Sequence, residues 1–200
     1  MSISDGRELR HMEPSNALVT IPNVLSIVRG CLGPVVMALI TLNVTWALVT
    51  ALVLMVLAEA SDVVDGIIAR RFQQESQLGR LIDPICDSIY HLSVFLAFLY
   101  NGWMPAWMLF IVYSRDLAIP YLRAFAKQAG HDIWVRNSGK VKTAAHAVAQ
   151  IGVVLIALGL IGKPTILGLD LSRALLLLAA AASLYSLADY AQAVLKLVRK

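Results

Sequence analysis

The sequence predicts an all-α, polytopic membrane protein with six transmembrane helices. Three observations carry this expectation. Of the 200 residues, 58% are hydrophobic and 15% charged, with a mean hydropathy of +0.72; a soluble domain holds about 45–50% apolar and about 25% charged residues. The apolar residues gather into six stretches, each near the roughly 20 residues that a helix needs to cross about 30 Å of hydrocarbon. The basic residues then fall almost wholly on one side of the resulting topology. Cys31 and Cys86 lie far apart inside apolar stretches and make no disulfide framework.

The elements follow in order. Residues 1–20 are polar and charged at the start, with no apolar core ahead of a small-residue cleavage site, so they are expected to be a cytoplasmic N-terminal segment rather than a cleaved signal. Leu9, Met12 and Leu18 among the charges leave two forms open, a short interfacial helix or a loose tail. Residues 21–200 are expected to form a single membrane domain. Its spans are placed at Ile21–Leu42, Trp46–Ile68, Leu81–Tyr100, Met104–Phe125, Val141–Ile161 and Leu171–Leu195. Short polar joints separate the first four, and Lys127–Lys140, with Gly130, Asp132 and Asn137, is the longest interruption. Pro120 is expected to kink the fourth span. Trp46, Trp103 and Trp107 fall where an outer aromatic belt belongs.

With six spans, both termini share a side. That side collects Arg7, Arg10, Arg70, Arg71, Arg80, Arg123, Lys127, Arg136, Lys140, Lys142, Lys196, Arg199 and Lys200; the other keeps Lys163 and Arg173. The positive-inside rule puts the rich side in the cytoplasm. The net charge of +4 is thereby explained by topology, and no nucleic-acid partner is expected.

Acidic residues at a membrane face need a reason. Asp62 and Asp65 end the second apolar stretch, and Asp83 and Asp87 begin the third. A charge deep in a spanning helix costs about 2.5–3.5 kcal/mol on insertion scales. At about 100° per residue, Asp62, Asp65, Gly66, Ala69 and Arg70 share one face of the second helix. Gly79, Asp83 and Asp87 recur at i, i+4 and i+8 on the third. Consecutive antiparallel helices would set the two stripes at one depth. Facing carboxylates repel unless one protonates or a cation sits between them, and an all-oxygen donor set suits Mg²⁺ or Mn²⁺ better than zinc. The plainer readings are helix caps or partners for Arg70, Arg71 and Arg80. A cation channel or transporter would use the same acids, but it leaves the small residues and the arginine in the stripe unexplained. Gly66, Ala69 and Gly79 clear room for a ligand to approach the backbone, or simply pack helices closely; Arg70 offers a planar fork for a phosphate oxygen.

Read from Asp62 to Asp87, these residues spell D-x2-D-G-x2-A-R-x8-G-x3-D-x3-D without a departure. The pattern resembles the signature of the CDP-alcohol phosphotransferase family. That resemblance implies a membrane enzyme that moves a substituted phosphate from a CDP-linked lipid to an alcohol, releasing CMP. It implies Asp62, Asp65 and Asp83 as metal ligands, with Asp87 sharing the metal site and acting as general base. Gly66, Ala69, Arg70 and Gly79 would line the nucleotide and diphosphate site, with two Mg²⁺ or Mn²⁺ ions as cofactors. It also implies a homodimer in the cell's inner membrane, its active site facing the cytoplasm.

Three further segments are similar to the family's bacterial phosphatidylglycerophosphate synthases: Ile21-Pro22-Asn23-Val24-Leu25-Ser26-Ile27-Val28-Arg29, Ser114-Arg115-Asp116, and Ser138-Gly139-Lys140-Val141-Lys142-Thr143. The likeness implies CDP-diacylglycerol as donor and glycerol 3-phosphate as acceptor. Arg115 is a mid-helix charge, and Lys140 and Lys142 open the next span on the side of the acids, so the three are candidates for holding the acceptor's phosphate. Asn23 is a candidate nucleotide contact. Pairing of Arg115 with Asp116, and topology marking by the lysines, are the alternatives. Inositol phosphate and serine are the rival acceptors. Glu59, Arg123, His91 and His146 read as structural residues or anchors, and Asp189 as a partner for Lys196 or a dimer contact.

Overall fold

The computed structural model describes residues 21–72, 79–128, 130, 137–162, 165–166 and 169–198, and of residues 21, 22, 62–72, 80, 81, 166 and 198 the backbone alone. These residues form six helices: α1 (Ile21–Leu42), α2 (Thr45–Phe72), α3 (Gly79–Tyr100), α4 (Ala106–Gln128), α5 (Asn137–Ala157) and α6 (Leu171–Val198). A two-residue antiparallel pair, β1 (Thr165–Ile166) and β2 (Leu169–Asp170), precedes α6. The all-α expectation holds. The expected N-terminal segment, residues 1–20, lies outside the described residues.

Local chemistry sets the helix ends. Asn43 closes α1 with φ at 50°, a left-handed conformation that a short polar side chain tolerates. The fifth helix starts and stops about a turn before the expected Val141–Ile161. Its stop is Gly159, at φ 73°; the amide of Leu160 bonds the carbonyl of Leu155 at 3.0 Å, the long-range bond of a glycine-terminated helix. Leu160 and Ile161 continue the apolar run but not the helix.

Among the described residues, four helices are long and apolar enough to cross a membrane: those at Asn23–Leu42, Ile82–Tyr100, Asn137–Ala157 and Leu171–Leu197. In α2 the apolar stretch found among the described residues is the shorter Thr45–Ser61. In α4, Arg115, Asp116 and Arg123 interrupt the apolar run. The expected six spans are thus six helices, four of which meet the length and composition of a span.

Packing runs in two groups. α1 lies against α2 and α3, α6 lies against α4 and α5, and the groups meet through α2 with α5 and α3 with α4 and α5. Ile40, Met55, Tyr90, Phe95, Phe98 and Met104 fill the interior. The outside is apolar as well: Trp46, Phe110 and Tyr121 are 64%, 70% and 70% exposed, while Arg29 and Lys142 are 3% and 2%. Large apolar side chains facing out around buried charges invert the pattern of a soluble domain. Lipid is the solvent that suits this surface, and the protein is a membrane protein.

Candidate active site

The acidic stripe of α3 is the starting point. Asp83 accepts two hydrogen bonds at its Oδ1, from Ser26 Oγ at 2.9 Å and from Arg29 Nη2 at 2.8 Å, both on α1. Close approach of the two helices makes this reach possible. A Cβ on Gly30 would stand 3.0 Å from Cys86 Cβ, and one on Gly33 would stand 2.8 Å from the Cα of Tyr90. Only hydrogen fits at the second position. Near the other end of α1, Asn101 Nδ2 donates to the carbonyl of Ile40 at 2.8 Å, so the two helices run side by side in the same direction.

One turn along the stripe, Asp87 Oδ1 lies 3.2 Å from His91 Nε2. The ring of His91 is held from its other side, where Nδ1 is 2.9 Å from Gln150 Oε1 on α5. Gln150 Nε2 donates at 2.9 Å to the backbone carbonyl of His91, so its oxygen is the atom that accepts from the ring. Tyr90, beside His91, buries a hydroxyl that has no hydrogen-bond partner among the described residues. Glu59 of α2, one turn before Asp62, lies within electrostatic range of His91, Asp87, Arg29 and Lys142.

A basic cluster adjoins the acids. Arg115 Nη1 donates to Asp116 Oδ1 at 2.8 Å, and Lys142 Nζ lies 3.2 Å from both oxygens of the same carboxylate. Arg115 also donates to Ser186 Oγ on α6 through Nη2, at 3.0 Å. Arg123 turns inward: its Nη2 donates to Tyr190 Oη at 2.6 Å, and its guanidinium carbon stands 5.1 Å from that ring's centroid. Asp189 accepts from Ser138 Oγ at 2.7 Å, and His146 Nε2 sits 2.8 Å from Ser183 Oγ. Lys142 lies one turn before His146 on α5, and the His146 ring packs 5.5 Å from that of His91, so the cations and the stripe belong to one interior.

The structure therefore brings together Asp83, Asp87, Arg115 and Lys142 of the residues singled out in sequence. Asn23 is buried on α1, Gly79 opens α3, and Lys140 is exposed beside the basic cluster. The side chains of Asp62, Asp65, Ala69 and Arg70, and the surroundings of Gly66, lie outside the described residues. Arg115 takes the paired form, through Asp116. Arg123 was read as an interfacial anchor, and its inward turn had no signal in the sequence beyond its spacing of two turns from Arg115. His91, read as structural, stands beside Asp87, and Glu59 lies within electrostatic range of it.

Among the described residues, no group of three or more His, Cys, Asp or Glu side chains is arranged to hold a metal ion. The two described acids of the stripe nonetheless suit one. Each gives Oδ1 to a protein donor and keeps Oδ2 without a partner among the described residues. Free carboxylate oxygens one turn apart are hard donors of the kind magnesium and manganese take.

The described site is thus an acidic stripe on α3 with buried cations on the neighbouring helices of a membrane protein. Residues 19–187 match the family described as CDP-alcohol phosphatidyltransferase, and the chain belongs to that family. Among its relatives is the CDP-diacylglycerol–glycerol-3-phosphate 3-phosphatidyltransferase of Shigella flexneri, 29% identical over 177 residues, covering 86% of this chain and 93% of the relative. The protein of the same name from Bacillus subtilis is 25% identical over 150 residues, 69% of this chain and 78% of its own. A cardiolipin synthase (CMP-forming) of Streptomyces coelicolor is 30% identical over 124 residues, 58% of this chain and 56% of its own. The chain is accordingly a transferase of phospholipid biosynthesis.

Proposed function

We propose that this enzyme transfers the phosphatidyl group of CDP-diacylglycerol to the free hydroxyl of glycerol 3-phosphate. The observation that carries the reading is Asp87: a carboxylate with one oxygen held and one open, in the same interior as the buried cation Lys142. The acceptor hydroxyl attacks phosphorus, the bond from phosphorus to the CMP oxygen breaks, and the proton passes to Asp87. A base so placed contributes about 10²–10⁴-fold. Asp62, Asp65, Asp83 and Asp87 would hold two Mg²⁺ or Mn²⁺ ions. When bound, such ions offset charge on a diphosphate and on the departing nucleotide.

Asn23, Gly66, Ala69, Arg70 and Gly79 are assigned to the nucleotide and its diphosphate on the strength of the signature. Arg115, Lys140 and Lys142 are assigned to the acceptor phosphate. Arg115 and Lys142 keep further N–H donors beyond those given to Asp116 and Ser186, because a guanidinium has five and an ammonium three. The names of the Shigella and Bacillus relatives support this acceptor. Residues 21–200 would form one domain of six spans, α2 and α4 crossing with their charges turned inward. We place it in the cell membrane as a homodimer, with its site toward the cytoplasm.

The test is CMP release by purified protein given CDP-diacylglycerol, Mg²⁺ and one acceptor at a time: glycerol 3-phosphate, inositol phosphate, serine or phosphatidylglycerol. Glycerol 3-phosphate is expected to be the acceptor used. Conversion of another alone overturns the acceptor and keeps the reaction class, whereas a cation transporter releases no CMP with any.

A further inference from the structure

The stripe of α3 does not stop at Asp87. It continues through His91 at i+4, and the opposing face of α5 carries Lys142, His146 and Gln150 at the same spacing, all buried. His91 is 1% and Gln150 0% exposed. From this we propose that His91 is a positioning residue for the transfer, held by Gln150 so that it fixes the carboxylate of Asp87. The proposal rests on the role assigned to Asp87 above.

A carboxylate on a helix turns about the bond to its Cγ, and either oxygen can face the reaction. Here His91, donating from both nitrogens as an imidazolium, takes up Oδ1 at Nε2, 3.2 Å away, which leaves Oδ2 as the oxygen open to a substrate. An imidazole can do this only if its own ring is fixed. The Gln150 amide fixes it with both ends: the oxygen accepts from Nδ1 and the nitrogen donates to the His91 carbonyl, each at 2.9 Å. Tyr90 and His146 pack edge-on against the ring, with centroids 5.2 and 5.5 Å away. Any buried histidine needs a partner for each ring nitrogen; what sets His91 apart is where those partners lie. This one has both nitrogens engaged, one of them on the expected base. Asp83 is held from α1, Asp87 from α5, so two helices set the two carboxylates independently.

Removing such a supporting contact lowers activity by about 10–100-fold in comparable sites. For His91→Leu we expect a fall of about that size in kcat for CMP release, with KM for donor and acceptor within about twofold of the parent. CMP binding in the presence of Mg²⁺, measured by calorimetry, should stay within about twofold and report the folded fraction. His91→Gln keeps an amide donor within reach of Asp87 and should recover part of the lost kcat. Gln150→Met should lower kcat in the same direction. The double variant should be no worse than His91→Leu alone, because both act on one contact.

A kcat for His91→Leu equal to the parent per CMP-binding site overturns the proposal. So do a change in KM alone, or losses that multiply in the double variant. If His91→Leu does not fold, His91→Gln and Gln150→Met decide: parental kcat in both overturns it. Asp87→Asn separates this inference from the one beneath it. If Asp87→Asn still releases CMP, the assignment of the base fails; if it is inactive while the His91 variants are not, this inference alone fails.

Discussion

At the residue scale, two carboxylates set the behaviour of the interior. Asp116 is shared by Arg115 and Lys142, with both cations buried or nearly so. Removing one member of a buried charged group costs about 3–5 kcal/mol, because the remainder is left without compensation. Asp116→Asn should therefore lower the thermal midpoint in detergent, leaving two like charges side by side. An anion seated between them restores balance, so glycerol 3-phosphate should raise the midpoint of Asp116→Asn, as any ligand of the folded state does. A midpoint unmoved by the substitution would show that the triad contributes nothing to stability. Asp83 leads to a second expectation. Its charge is already met by Arg29 and Ser26, so chelation should abolish CMP release without unfolding the protein. Mg²⁺ or Mn²⁺ should restore the rate, and helical circular dichroism should hardly change throughout. Loss of the helical signal on chelation would mean that the ions are structural.

At the scale of elements, glycine decides where helices touch. Gly33 faces the Cα of Tyr90, an atom of backbone that cannot swing aside, and an added Cβ would lie 2.8 Å from it. Gly33→Ala should push α1 from α3 at a cost of about 1–3 kcal/mol, the usual range for overpacking. The same shift loosens Ser26 and Arg29 from Asp83, so CMP release should fall too. Gly139 is the control: its Cβ would meet Arg115 Nη2 at 3.7 Å and Tyr190 Oη at 3.8 Å, ordinary contact distances. Gly139→Ala should leave the thermal midpoint nearly unchanged, and equal losses in the two variants would defeat the packing argument. This contrast also shows what a sequence can and cannot display. Periodicity put Asp83 and Asp87 on one face and apolar runs located every helix, because both depend on spacing along a single chain. That Gly33 meets Tyr90, or that Gln150 holds His91 across 59 positions, depends on which helices pack together, and no local pattern encodes it. Gly159, which ends α5, lies inside the expected fifth span because the apolar Leu160 and Ile161 carry the run past it.

At the scale of the molecule, the proposed orientation rests on a difference in charge between the two ends. Asn101 and Ile40 meet at the end where α1 and α3 finish, while Arg29 meets Asp83 toward the end where α3 begins. α5 opens at the latter end, bringing Lys142 into electrostatic range of Asp87. Among the described residues, Lys127, Lys140, Lys142 and Lys196 belong to this same end, and Arg173 to the other. A lysine- and arginine-rich end is retained in the cytoplasm during insertion. Glycerol 3-phosphate and CMP are charged and do not cross a bilayer unaided, so on the proposed function and orientation they would exchange from one side only. Inverted membrane vesicles supplied with glycerol 3-phosphate and Mg²⁺ from outside should release CMP into the medium at once from CDP-diacylglycerol in the bilayer. Right-side-out vesicles of the same membranes should release none until a detergent opens them, after which the two preparations should match per mole of enzyme. Prompt activity in sealed right-side-out vesicles would put the stripe of α3 at the opposite face and reverse the orientation inferred from charge.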